Sequence, residues 1–211
     1  MDPLLLLSFL SASVLLALMP GPNIIYVLTE SITKGAKTGR TIAFGLVSGV
    51  LIHTTLAATG VSLLIYSSNA VFKGVKYAGA AYLFYLAYLS LKEQPIQIDT
   101  TNSSQNKNTD PDYNFVKLFR KGFLMNVLNP KVSVFFIAFL PQFVSPEGFP
   151  PMIQMMIMGV IFIIQAFLIF SLVAALSGRI SRFLQNEKYW IYSKWIKAVV
   201  LFLIGLSLVL Y

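Results

Sequence analysis

Long apolar runs alternate along the chain with short polar or basic stretches, and six runs lie near 4–29, 41–66, 74–91, 118–143, 152–177 and 195–211. A helix needs roughly 17 to 25 apolar residues to cross the hydrocarbon core of a bilayer. The pattern therefore predicts an all-α integral membrane protein with six transmembrane helices. The first run opens with Asp2 where a signal peptide would carry basic residues, and no small-residue cleavage pattern follows its apolar core. It is read as span one.

Composition strengthens this picture. The 211 residues are 56% hydrophobic and 11% charged, against about 25% charged in soluble domains. Cysteine is absent, which removes disulfides, thiolate metal sites and iron–sulfur clusters. His53 is the one histidine, so no two-histidine zinc motif can be built. No cofactor and no metal site are expected, and the lipid bilayer is the first partner.

The net charge of +8 changes meaning once the basic residues are placed. The stretches after spans one, three and five hold thirteen of them: Lys34, Lys37, Arg40, Lys92, Lys107, Lys117, Arg120, Lys121, Arg179, Arg182, Lys188, Lys194 and Lys197. The opposite side holds only Lys73 and Lys76. Basic residues concentrate on the cytoplasmic side of bacterial inner-membrane proteins, so this bias predicts an external position for both termini. Trp190, Tyr192 and Trp195 fit an interfacial aromatic belt on the cytoplasmic side. The basic surplus is a topology signal, and nucleic acid is not an expected partner.

The longest polar stretch, residues 92–114, is rich in Asn, Asp, Ser, Thr and Pro and lacks a helical apolar period. It reads as a cytoplasmic linker between a first three-span half, 1–91, and a second, 115–211. Three is odd, so a repeat of one half in the other would lie inverted in the membrane, the plan of many secondary transporters. Spans one and four support such a repeat, since each is interrupted by proline and asparagine: "PGPN" at 20–23 and "NVLNP" at 126–130.

Proline within a helix removes a donor and frees carbonyls that hydrocarbon cannot satisfy, so such breaks must face protein or a water-filled cavity. At the second break Asn129 is a good helix cap and Pro130 suits the first helical position. At the first, Gly21 is expected to permit an unusual turn and Pro22 to open the next segment. Lys131 follows directly, about 14 Å from either end of a core about 30 Å thick, too deep for its stem to reach water. A cation also sits poorly at the partly positive start of a helix, and no carboxylate lies near mid-membrane in any span. The missing partner is read as an anionic group of a substrate. Candidate substrate-binding residues are Pro20, Gly21, Pro22 and Asn23 from the first break, with Asn126, Asn129, Pro130 and Lys131 from the second. The competing account holds Lys131 on carbonyls freed at the first break.

Several other residues invite a role. His53 is the side chain in span two whose ordinary titration range lies near neutrality, a candidate for proton coupling or a substrate hydrogen bond; the alternative is a histidine bonded to a neighbouring helix. Gly45 and Gly49 are read as a close helix contact, Gln165 as interhelical glue, and Tyr82, Tyr85 and Tyr88 as packing or interface.

"MPGPN", "GLVSGVLIH" (45–53), "KYAGAAYLFYLAYLSLK" (76–92) and "FRKGFLMNVLNPKVSVFFIAFLPQFVSP" (119–146) together resemble the lysine exporter and homoserine/threonine efflux family, the LysE/RhtB-type translocators. The resemblance implies a six-span inner-membrane exporter of amino acids or close analogues, driven by the proton gradient. The chain departs from the family pattern at Val50, where many relatives carry an acidic residue. A substrate ammonium would then meet carbonyls or amide side chains at the breaks. The rivals are a metal-ion or other small-solute transporter of similar architecture, a non-transporting membrane subunit, and an intramembrane enzyme, which would need a nucleophile with its base or a metal pair that this chain lacks. The sequence leaves a homo-oligomer open.

Overall fold

A computed structural model describes residues 2–61, 69–94, 113–184 and 187–210, and the regular structure among these residues is helical. Helix α1 (Pro3–Leu18) begins where the Asp2 carboxylate accepts from the Leu4 N–H at 2.7 Å, with Pro3 in the first turn, where its missing donor costs nothing. Helix α2 (Pro22–Lys34) restarts at a second proline, bent 52° from α1. Gly35 alone joins α2 to α3 (Ala36–Leu56), and its φ of 91° lies in the left-handed region that a side chain disfavours. Helix α3 runs on into a π turn, Ala57–Val61.

Helix α4 (Asn69–Lys92) follows. Asn114 caps α5 (Phe115–Val127) by accepting from the Lys117 N–H at 3.0 Å. Helix α6 (Pro130–Val134) continues through a π turn, Phe135–Phe139, and a 3-10 turn, Leu140–Phe143, and lies at 53° to α5. Helices α7 (Pro151–Ala175), α8 (Ser177–Leu184) and α9 (Glu187–Leu210) complete the order.

Three stretches, Ala36–Gly60, Pro151–Ala175 and Ile191–Leu210, are individually long and apolar enough to cross a membrane, and counting each bent pair as one span makes five. Helix α4 has the length, at 24 residues, but lysines and tyrosines dilute its apolar run. The outer face of α7 carries Val160, Ile164, Leu168 and Leu172 four residues apart, each about half exposed or more. Such a stripe costs nothing against lipid. Most of the linker, residues 95–112, lies outside the described residues, as does the side chain of Trp190; Tyr192 and Trp195 are exposed.

Helix α3 is the central element, packed by α2, α5 and α7. Gly45 and Gly122 bring α3 and α5 together backbone to backbone: a Cβ on Gly122 would strike the Ile42 carbonyl, and one on Gly45 the Phe119 carbonyl. Glycines at a helix seam allow this approach. Helix α9 packs on α4, where Gly205 admits the Phe84 ring. Gln165 of α7 donates to Ser13 Oγ of α1 at 2.5 Å, the interhelical link expected of a lone amide. The rings of Phe9, Phe135, Phe136, Phe139, Phe143 and Phe162 form a continuous cluster, with Phe136 and Phe162 at 5.1 Å and Phe139 and Phe143 at 4.9 Å.

Candidate functional site

Pro130 has no N–H, so the Asn126 carbonyl four residues earlier loses its helical partner. Two groups replace it. The Asn129 N–H donates to that oxygen at 2.8 Å, and Nε2 of His53, on α3, lies 3.1 Å from it. Asn129 then caps α6, its Oδ1 accepting from the Lys131 N–H at 3.0 Å. The same side chain reaches the first break, donating through Nδ2 to Asn23 Oδ1 at 3.2 Å. The two interruptions are thus joined directly.

The Asn126 side chain turns towards α3 and donates to the Leu46 carbonyl at 2.6 Å. A Cβ on Gly49 would come within 3.0 Å of the Asn126 Cβ, so the missing side chain there lets Asn126 lie against α3. Asn126 is 2% exposed, and its Oδ1 is buried without a hydrogen-bond partner. An unmatched buried acceptor costs about 1 to 3 kcal/mol.

The Lys131 ammonium lies 3.1 Å from Sδ of Met19, the last residue before the first break. A thioether is a weak acceptor with no charge. Lys197, 5% exposed, pairs instead with Glu93 at the end of α4. Gly21 differs from the expected unusual turn: its φ of −156° and ψ of −179° are extended backbone open to any residue. What glycine leaves is space, since a Cβ there would stand 4.0 Å from Lys131 Nζ.

Gly21, Pro22, Asn23, Asn126, Asn129 and Lys131 line one cavity with about 40 Å³ open to water, walled elsewhere by Val47, Val50, Phe162 and Ala166. That volume holds a few waters. Of the other sequence-predicted residues, Pro130 is exposed and shapes the bend, whereas Pro20 faces a separate crevice of about 350 Å³ between α1 and α9. Met19 belongs to the walls of both spaces.

His53 is buried one layer behind the cavity, 6.3 Å between ring centroids from Phe136, with Ser133 Oγ 3.4 Å from its Nδ1. Tyr85 and Tyr88 are exposed and away from the cavity wall. Sequence reasoning missed Met19 and Ser133. Ser133 carried a faint signal, since a serine four residues after a helix cap can bond its carbonyl; Met19 carried none. Among the described residues no three His, Cys, Asp or Glu side chains gather as a metal site.

Comparison with known proteins decides the family, for the sequence profile of the LysE type translocators matches residues 14–211. The chain belongs to the LysE type translocator family. This translocator is 31% identical over 182 residues to a homoserine/homoserine lactone efflux protein of Salmonella typhi, covering 86% of this chain and 84% of the relative. It is 33% identical over 138 residues to a leucine efflux protein of Salmonella choleraesuis, covering 65% and 62% of the two chains. An uncharacterised membrane protein of Pseudomonas aeruginosa is 35% identical over 148 residues, covering 70% and 68%. No solved structure matches the chain.

Proposed function

We propose that this LysE type translocator exports a small zwitterionic amino acid, with a hydrophobic or short polar side chain, from the bacterial cytoplasm across the inner membrane in exchange for protons. The observation that carries the reading is Lys131, a half-buried ammonium whose hydrogen bond goes to a thioether, lining the same cavity as Asn126, whose Oδ1 has no partner. A cation and a bare acceptor complement the two poles of an amino acid. The substrate carboxylate replaces Met19 at Lys131, and the substrate ammonium meets Asn126 Oδ1. Val47, Val50 and Ala166 receive an apolar or short side chain, and no acidic group in the cavity wall favours a cationic one. The efflux functions named for the Salmonella relatives support the substrate class.

In this reading α4 is the sixth span, and the halves are inverted repeats: a bent helix pair followed by two long helices in each. Nearly equal bends at matched positions, 52° and 53°, support it. Both termini are external and the basic stretches cytoplasmic. The cavity is too small for an amino acid as it stands, so the cycle needs the breaks to open. A metal-ion carrier or a non-transporting subunit gives no reason for an ammonium beside an empty amide acceptor.

Counterflow of labelled amino acids in proteoliposomes tests the reading. Neutral amino acids should exchange, and Lys131→Ala should reduce exchange to background while still inserting. A decarboxylated analogue should inhibit the wild type weakly and lose little further potency in Lys131→Ala. Equal proportional losses for substrate and decarboxylated analogue would withdraw the carboxylate assignment, and no exchange across the panel would withdraw amino-acid transport.

A further inference from the structure

When His53 is neutral, one hydroxyl hydrogen beside it has two places to go. Its Nε2 faces the Asn126 carbonyl at 3.1 Å, and a carbonyl only accepts, so Nε2 bears the hydrogen of the neutral imidazole. Nδ1 is then a bare lone pair, open to donation from Ser133 Oγ at 3.4 Å. The same hydroxyl lies 3.1 Å from the Asn129 carbonyl, which also only accepts and already takes the Val132 and Ser133 N–H groups at 3.1 Å. One hydroxyl hydrogen faces two acceptors.

A proton on Nδ1 fixes the choice. Nδ1–H then donates to Ser133 Oγ, and the hydroxyl hydrogen turns to the Asn129 carbonyl. Asn129 is the residue that caps α6 and bonds Asn23 across the breaks. The charge on a ring one layer behind the cavity therefore decides whether the Asn129 carbonyl receives a third donor, on the residue whose side chain joins the two broken helices.

We infer that Ser133 is the positioning residue that transmits the protonation of His53 to the paired breaks, an inference that rests on the proton-exchange reading above and names its internal connection. The proton enters and leaves at Nδ1, and no covalent bond changes. Few other titratable groups compete for the role. Those on described elements packed against α3 are Tyr26, Glu30 and Lys34 of α2, Lys117, Arg120 and Lys121 of α5, and Lys131 of α6, with Lys37 and Arg40 on α3 itself; α7 has none. None of these bonds the imidazole directly; Asn126 and Ser133 do.

The test combines a spectroscopic and a transport readout. Because His53 is the only histidine, ring-labelled protein gives a single pair of ¹⁵N resonances. At high pH they should report the Nε2–H tautomer, and Ser133→Ala should shift the Nδ1 signal specifically. In proteoliposomes, Ser133→Ala should retain counterflow at fixed pH within about fivefold, the size of one neutral hydrogen bond, while uptake driven by a pH gradient falls to background. Ser133→Thr, which keeps the hydroxyl, should restore the wild-type pH profile, and His53→Gln should be as flat as Ser133→Ala.

An Nδ1–H neutral tautomer would overturn the wiring and leave amino-acid export standing. A wild-type pH profile in Ser133→Ala would overturn the role of Ser133 alone. The expected tautomer in a wild type indifferent to pH gradients would remove proton exchange, and this inference with it.

Discussion

The two breaks bend their helices almost equally, by 52° and 53°, but they are held by different chemistry. The second is tied down on three sides: Asn129 caps α6, Asn126 bonds the Leu46 carbonyl, and His53 takes the carbonyl that Pro130 frees. At the first, Gly21 has no side chain with which to cap α2, and the polar links of Met19 and Asn23 run to the second break. Equal bends therefore do not imply equal rigidity. The second break is anchored to α3 and carries the charge, whereas the first leans on it and supplies the groups that the proposed substrate would displace.

The largest test of this asymmetry is Lys131→Ala. Losing one partner of the proposed pair between Lys131 and the substrate carboxylate costs about 2 to 5 kcal/mol, roughly 30- to 4000-fold, so transport should fall to background in counterflow, with insertion judged by detergent extraction and size exclusion. Lys131→Arg is expected to be poor too, because a planar fork does not replace a compact ammonium. Gly49→Ala comes next. Its methyl group would push Asn126 off α3, and overpacking costs about 1 to 3 kcal/mol, read as a lower thermal midpoint together with weaker substrate binding.

A smaller effect belongs to the bond between the breaks. Asn23→Ala and Asn129→Ala each remove it, and the double-mutant cycle should return a coupling of about 1 kcal/mol; Asn129→Ala should cost about 1 kcal/mol more in stability, because it also uncaps α6. Equal single losses would mean that the breaks are equivalent after all. The smallest effect is Gly21→Ala. Its extended backbone suits alanine and the added Cβ finds ordinary contacts, so stability should stay within about 0.5 kcal/mol. A severe defect would show that the first break needs glycine in another state of the cycle.

Much of the site was legible because its logic is local. A cap, a proline and a lysine in consecutive positions say where a helix restarts and that a charge lies deep, and the structure brings Asn129, Lys131 and Asn23 to one cavity. Contacts between distant spans were not legible. Nothing in one sequence pairs Met19 with Lys131 across 112 positions, or Ser133 with His53 across 80. Gly21 misled because glycine serves space as well as torsion. The π turns at Ala57–Val61 and Phe135–Phe139 were hidden as well, since their residues are ordinary apolar ones and the extra residue per turn comes from tertiary packing. Helix α4 was expected as a span from the apolar run at 74–91, and its tyrosines and lysines keep it out of the three unbroken stretches apolar enough to cross a membrane.

The seam of Gly45 and Gly122 has a mechanical consequence. With carbonyls and amides in place of side chains between them, α3 and α5 have no compressible layer and no room to shear, so they behave as one stiff girder. Whatever moves when the cavity changes its opening must move around that girder. In the proposed cycle the bonds inside it, from His53 to the Asn126 carbonyl and from Asn126 to Leu46, are expected to persist, and those that leave it, from Asn129 to Asn23 and from Lys131 to Met19, to form the hinge line of opening.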